Sequence, residues 1–250
     1  MKAAYIERHG GPEVLKCGDM PDPVAKPGEV VVDIVAASVN GADWKVRDGK
    51  SGQIAHFPYI LGRDFSGVVS AVGDGVSDLR AGDEVFAVCD AGQEGAYAEK
   101  IAIKSAIVAK KPAGLSHLDA AALALTGLTA ICTIEDTLKL KAGETILIQG
   151  GAGGVAAFAI QLAKHLGARV ITTASASNHD YLRSIGADEI IDYNGFHDGR
   201  ERLRRGVRHG RRGRRPAVVQ GAQTRRPGGL HRLGAAGAKA GPQRCHSSQA

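Results

Sequence analysis

Residues 145–175 read TILIQGGAGGVAAFAIQLAKHLGARVITTAS, and this stretch decides the fold. Thr145–Gln149 is a short apolar run, the pattern of a strand buried on both faces. Gly151-Ala152-Gly153-Gly154-Val155-Ala156 then fits GxGxxG/A. The pattern is weak alone, because glycine and alanine are common. Here it follows a strand and opens a helix, the context in which it binds a dinucleotide. Glycines without a Cβ let the backbone approach a pyrophosphate, and the helix N-terminus offers unpaired N–H groups and a positive dipole end. A glycine-rich turn without a ligand is the plainer alternative.

Outward from this stretch, Arg169–Ser175 is a second strand, YLRSIG (181–186) a helical end and DEIIDY (188–193) a third strand. Strand–helix–strand–helix–strand is the start of a doubly wound parallel sheet. Upstream, Ser116-x-x-Asp119 resembles a capping box before the alanine-rich 117–138. Residues 1–115 are β-rich: 28–39, 65–73 and 83–89 carry β-branched runs cut by Gly, Pro and Asp, which suggests a small barrel or sandwich. The expected class is α/β with a β-rich N-terminal part.

At 250 residues the chain holds one large or two small domains. Hydrophobic residues at 44% and charged residues at 23% exclude disorder of the whole. No apolar run is expected to approach a transmembrane length, and the N-terminus lacks the apolar core of a signal peptide. Cys17, Cys89, Cys132 and Cys245 lie too far apart for a disulfide scaffold or a CxxC zinc site. A reduced, cytoplasmic enzyme is the expectation. The net charge of +6 averages two unlike parts. Residues 1–199 hold 18 Lys and Arg against 25 Asp and Glu, a net −7; residues 200–250 hold 14 against Glu201 alone, a net +13.

The second strand selects the cofactor. An NAD site places an acid at its end, about 20 residues past the glycines. Here the strand ends Thr173-Ala174-Ser175-Ala176-Ser177-Asn178, with no carboxylate before Asp180. Small hydroxyl residues leave room for a 2′-phosphate, with Arg183 as a counter-ion, so NADPH is expected. Ser175 also reads as a helix N-cap.

From Met1 to about Asn194 the chain resembles the medium-chain dehydrogenases/reductases, and within them the zinc-free, zeta-crystallin-like quinone oxidoreductases. The resemblance rests on Asn40-Gly41-Ala42-Asp43, Pro58-Tyr59-Ile60-Leu61-Gly62-Arg63-Asp64-Phe65-Ser66-Gly67, Leu125-Thr126-Gly127-Leu128-Thr129-Ala130 and 148–168. It implies a GroES-like substrate domain over 1–120, then an incomplete Rossmann doubly wound parallel sheet, whose first half covers 121–194. Zinc-dependent members carry Gly-His-Glu where this chain has Gly62-Arg63-Asp64. Arginine stays cationic and cannot ligate a metal, so no metal is expected. Without a metal, hydride donation from NADPH to a quinone or α,β-unsaturated carbonyl is the easier chemistry, because the acceptor is already electrophilic.

By this resemblance Asn40, Asp43 and Thr126 are the catalytic candidates, Asn40 orienting substrate or the nicotinamide ribose. Thr126 and Thr129 line the nicotinamide. Gly151, Gly153, Gly154 and Val155 take the pyrophosphate, and Ser175 and Tyr193 the 2′-phosphate. Plainer roles stand beside these: Thr126 and Thr129 as core hydroxyls, Asp43 as a turn residue, Tyr193 as packing. Two departures matter. Asn40 is followed by Gly41 where the family often has proline. Lys45 stands where many members have tyrosine, which leaves the proton donor unassigned. His56, His117 and His165 receive no role.

After Asn194 no hydrophobic period persists, and 195–250 reads as an Arg/Gly-rich, disordered tail out of frame. Back-translating Val218 through Arg232 and shifting by one base permits Ser-Phe-Lys-Ala-Leu-Lys-Pro-Gly-Gly-Arg-Val-Val-Phe-Ile-Ala, which holds the segment close to Leu-Lys-Pro-Gly-Gly that the resemblance implies after a fourth strand and a Gly-rich turn. On that reading the literal chain is inactive and one edge of Thr145–Gln149 stays unpaired. The frame-corrected chain is expected to be a homodimer with a small quinone or enone substrate, no specific nucleic acid and no membrane. Two alternatives remain: a cofactor-binding pseudoenzyme, and a binding module whose basic tail takes nucleic acid.

Overall fold

The computed structural model describes residues 1–50 and 54–192, with the backbone of 217–220. They fall into two units, divided between Leu128 and Thr129. Tyr193 and the remainder of 193–250 lie outside the described residues, and with them the expectation of a disordered tail.

Unit 1 contains β1 (Lys2–Ile6), β2 (Lys16–Asp19), β3 (Glu29–Ala37), α1 (Gly41–Arg47), β4 (Tyr59–Ile60), β5 (Asp64–Val72), β6 (Glu84–Val88), β7 (Lys100–Lys104) and β8 (Val108–Lys110). Five strands pair antiparallel in the order β7-β3-β5-β6-β8, and three in the order β2-β1-β4. The valine-rich β3 packs Val30 and Val32 against Phe65, Val69, Val85, Ile101 and Ile103. Gly67 lets β5 run close to β3. A Cβ there would strike the carbonyl of Asp33, beside an irregularity in register between Ile34 and Ala36.

α2 (His117–Ile131) begins in unit 1 and ends in unit 2. The N–H of Asp119 donates to Ser116 Oγ at 3.1 Å, the expected cap. Asp119 accepts the Ser116 hydroxyl at 2.6 Å. A π-turn over Cys132–Thr137 extends α2 into one helical stretch of 21 residues, long and apolar enough on those two counts to cross a membrane. That corrects the expectation that no apolar run approaches this length. Ala120, Ala121, Ala124, Ala130 and Ile134 are buried within protein, while Leu118, Leu123, Leu128 and Ile131 are exposed.

Unit 2 is built on β9 (Thr145–Gln149), α3 (Gly154–His165), β10 (Arg169–Ala174), α4 (His179–Ser184), β11 (Glu189–Asp192) and β12 (Ala217–Gln220). The strands are parallel in the order β11-β10-β9-β12, which is the 3-2-1-4 half of a doubly wound sheet. Ile146 and Ile148 of β9 lie on Ala156, Ala159, Ile160 and Ala163 of α3. The small side chains on α3 let helix and sheet approach.

β12 corrects a second expectation. Ala217–Gln220 pairs with β9 from Ala217 opposite Ile146 to Gln220 opposite Gln149, so that edge of Thr145–Gln149 is paired. Ala-Val-Val-Gln is too short to show a period, yet its two β-branched residues suit an extended strand.

Candidate active site

In unit 1 the local chain first fixes Asn40. It caps α1 with extended backbone, and Asp43 at the third helical position accepts its N–H at 2.7 Å, the reciprocal arm of a capping box. Spacing alone thus accounts for part of the Asn40–Asp43 motif. The side chains then do more than cap. Asn40 Nδ2 donates to Ser38 Oγ at 3.0 Å and to Asp64 Oδ1 at 2.8 Å. Ser38 Oγ donates to the same carboxylate oxygen at 2.7 Å, and the N–H of Leu125 to Asp64 Oδ2 at 3.2 Å. Asp64 is fully buried at the start of β5. Asp43 is buried too, and its Oδ2 also accepts the Tyr97 hydroxyl at 2.7 Å, while Oδ1 has no partner.

Burial pushes both carboxyls above the ordinary range. The donors around Asp64 oppose this, as do Asn40 and Tyr97 at Asp43, where the charge of Asp64 adds to the rise. Burial, and then the bond to Asp43, likewise raises Tyr97. Thr126 Oγ1 donates to the carbonyl of Ala122 at 2.9 Å, the helix back-bond of a hydroxyl serving its own helix.

Beside this group lies a second cluster that sequence reasoning missed. Tyr59 donates its hydroxyl to Glu94 Oε2, which also accepts the N–H of Gly92 at 3.0 Å. Glu94 Oε1 faces Arg63 Nε at 3.7 Å. Arg63 donates from its terminal nitrogen to the carbonyl of Cys89 at 3.3 Å, and burial raises the Cys89 thiol to about 12. Arg63 stands next to Asp64 in a motif already quoted. Glu94 lies 31 residues away and carried no signal of its own.

In unit 2 the glycine-rich turn joins β9 to α3. The N–H of Gly150 donates to Thr173 Oγ1 at 3.0 Å, tying the turn to β10. Gly151 and Gly153 differ in role. A Cβ on Gly151 would collide with Thr172 Oγ1 and sit 3.0 Å from Leu182 Cδ2, so this glycine serves packing. A Cβ on Gly153 would meet only the carbonyl of Gly150, at 3.3 Å. Gly153 is the N-cap of α3 and supplies no side-chain cap. Gly154 and Val155 form the first turn of α3, at the end where a helix leaves backbone N–H groups without intrahelical partners. This cradle fits a pyrophosphate.

At the end of β10, Asn178 Nδ2 donates to Ser175 Oγ at 2.9 Å, and the Ser175 and Ser177 hydroxyls are 3.2 Å apart. Ser175 makes no side-chain cap to the following turn, so its hydroxyl belongs to this polar group. Arg183 pairs with Asp180 at 2.7 Å. Thr129 is exposed on α2 and its carbonyl accepts the Thr133 hydroxyl at 2.6 Å. Among the described residues no three His, Cys, Asp or Glu side chains are grouped to hold a metal ion.

An antiparallel β unit followed by a parallel sheet with a glycine loop defines a class of two-domain, nucleotide-linked enzyme folds. The alcohol dehydrogenase GroES-like domain matches residues 26–113. A chloroplastic NADPH-dependent alkenal/one oxidoreductase of Arabidopsis thaliana is 39% identical over 206 residues, covering 77% of this chain and 52% of the relative. The solved quinone oxidoreductase of Escherichia coli complexed with NADPH is 34% identical with a TM-score of 0.76, covering 82% of this chain and 62% of that one. A solved NAD-dependent alcohol dehydrogenase is 36% identical with a TM-score of 0.77, covering 83% and 68%. The chain belongs to the medium-chain dehydrogenase/reductase superfamily. It spans between half and about three fifths of the length of the curated relatives it matches.

Proposed function

We propose that the protein is a zinc-independent reductase of quinones or α,β-unsaturated carbonyls that uses NADPH. The observation that carries the reading is the end of β10. Ser175, Ser177 and Asn178 form a group of polar, uncharged side chains where an NAD site holds a carboxylate. The names of the Arabidopsis and Escherichia coli relatives support the same cofactor. Bound NADPH supplies the hydride; the residues of this chain bind and orient.

In this reading the first-turn N–H groups of Gly154 and Val155 hold the pyrophosphate, and Gly151 and Gly153, whose own N–H groups donate to the carbonyls of Thr173 and Gly150 at 2.9 Å, shape the turn that lets it approach. Ser175 holds the 2′-phosphate together with Tyr193. Thr129 lines the nicotinamide. Asn40, fixed by Asp43, Ser38 and Asp64, orients the substrate, with Thr126 beside it. Arg63, a permanent cation, cannot ligate a metal at the Gly62-Arg63-Asp64 motif. A cytoplasmic location and a homodimer complete the proposal; Cys17 and Cys89 carry free thiols.

We also propose that the codons beyond about Gly195 are read one base out of register, and that the restored frame supplies the remainder of the family's sheet. The test is to titrate NADPH and NADH by fluorescence, and to follow NADPH oxidation with a quinone and an enone, in the 250-residue chain and in one with the frame restored. NADPH is expected to bind more tightly, with turnover in the restored chain that a chelator leaves unchanged. Equal or tighter NADH binding overturns the cofactor reading, and inhibition by the chelator overturns zinc independence.

A further inference from the structure

Arg63 has more donors than its surroundings use. A guanidinium carries five N–H donors in a rigid fork, and its pairs with carboxylates are frequently bidentate and hydrogen-bonded. The pair that Arg63 makes is neither. Its Nε is 3.7 Å from Glu94 Oε1, beyond hydrogen-bond reach, and that buried Nε has no hydrogen-bond partner. Among the described residues, one donation of 3.3 Å to the carbonyl of Cys89 is its only side-chain hydrogen bond. Glu94, meanwhile, is held by other groups: Tyr59 and the N–H of Gly92 both donate to its Oε2. The carboxylate balances the charge of Arg63 without occupying its fork.

The side chain of Glu94 is 3% exposed and that of Arg63 is 20% exposed. The carboxylate is therefore shut away while part of the guanidinium stays open. Arg63 also lies near enough to Asp43 to act electrostatically on its carboxyl, which places it beside the Asn40–Asp43–Asp64 group.

We propose that the open face of Arg63 receives the carbonyl oxygen of the acceptor, and that the ion pair with Glu94 selects a neutral carbonyl over a preformed anion. This rests on the reductase reading above. The pair has no net charge, and two further carboxyls, Asp43 and Asp64, are buried nearby, so an anionic ligand would gain little. A carbonyl oxygen suits better, because it becomes negative only as the reaction proceeds. As the hydride of the reductase reading adds with its electron pair to the β-carbon, the C=C π pair becomes the bond between the α-carbon and the carbonyl carbon, and the C=O π pair moves onto the oxygen. The C=O bond then re-forms as the α-carbon takes a proton from water, leaving hydroxide, the saturated ketone and the oxidised nicotinamide. A fixed guanidinium in a partly buried position stabilises the oxygen most when its charge is largest.

The experiment uses 2-cyclohexen-1-one as the probe. Its C=O stretch is read by infrared difference spectroscopy when bound to the 250-residue chain, to Arg63→Gln and to Arg63→Lys. The double variant Arg63→Gln/Glu94→Gln is included because the single change leaves Glu94 buried and uncompensated. The stretch is expected to fall to lower wavenumber with Arg63, to fall less with Lys, and to return to the free position in both Gln variants. In the frame-restored chain, Arg63→Gln is expected to lower kcat about a hundredfold, with KM changed much less. Failure of the probe to bind, or the same shift with and without Arg63, overturns the proposal. If NADPH turnover is equal with and without Arg63, the inference fails and the reductase reading stands. If the stretch follows Arg63 while NADPH is neither bound nor oxidised, the reductase reading fails and the oxygen site stands.

Discussion

At the scale of single residues, two glycines of one motif separate into different duties. Gly151→Ala places a methyl against Thr172, which is fully buried and donates to the carbonyl of Ile148 at 2.6 Å. Overpacking of this kind costs about 1–3 kcal/mol. A lower midpoint of thermal unfolding is therefore expected, whatever happens to cofactor binding. Gly153→Ala meets only one carbonyl and should melt close to the parent chain, yet lose NADPH affinity in a fluorescence titration; Gly153→Val should abolish binding. Asp43 offers a test with a sign. Burial holds its folded pKa above the unfolded one, so the native chain binds its proton more tightly. The stability it contributes is full below the ordinary carboxylate range and falls as pH rises through the raised pKa. Against Asp43→Asn, the parent chain should therefore lose ground as pH rises, read as the difference between the two midpoints. A difference that moves the other way removes the buried-carboxyl account.

At the scale of elements, the connection between α3 and the strands beside it carries the opposite sign. Burial works to raise Asp188, but Lys164, donating at 2.8 and 2.9 Å, and the N–H of Val170, at 2.6 Å, outweigh it and hold the carboxyl low. Its contribution is present above the unfolded pKa and lost as pH falls through the depressed one. Asp188→Asn should thus cost stability at neutral pH, and the cost should vanish in acid. The end of β10 carries the specificity test. Ser175→Asp restores the carboxylate that an NAD site uses and should move preference from NADPH toward NADH by about tenfold or more. An unchanged ratio of the two dissociation constants would detach Ser175 from the 2′-phosphate. The periodic elements of unit 2 were readable because their signals are local: an apolar run, a glycine turn, an alanine-faced helix. β12 was not, because four residues carry too little pattern to register against an arginine-rich background.

At the scale of the whole molecule, charge divides the chain as sharply as folding does. The first 199 residues are net −7 and the last 51 net +13. The basic segment should bind a polyanion column such as heparin, and elution should shift steeply with salt because counterions are released. A chain ending at Asn194 should not bind, and neither should the frame-restored chain if the arginines are a product of the shifted frame. Retention of the restored chain as strong as that of the 250-residue chain would count against the shift.

The sequence by itself determined the order of the two parts, the parallel sheet around 145–192, the glycine cradle and the absence of an acid at the end of its second strand. Each of these is written in residues that are neighbours along the chain, where spacing and side-chain type suffice. Tertiary structure alone decided which side chains meet across distance: Asn40 with Asp64, Tyr97 with Asp43, Tyr59 with Glu94, and Glu94 with Arg63. Those partners are separated by 24 to 54 residues, and strand register brings them together. Whether a buried carboxyl is paired, or a guanidinium keeps spare donors, depends on the low-dielectric surroundings that packing creates.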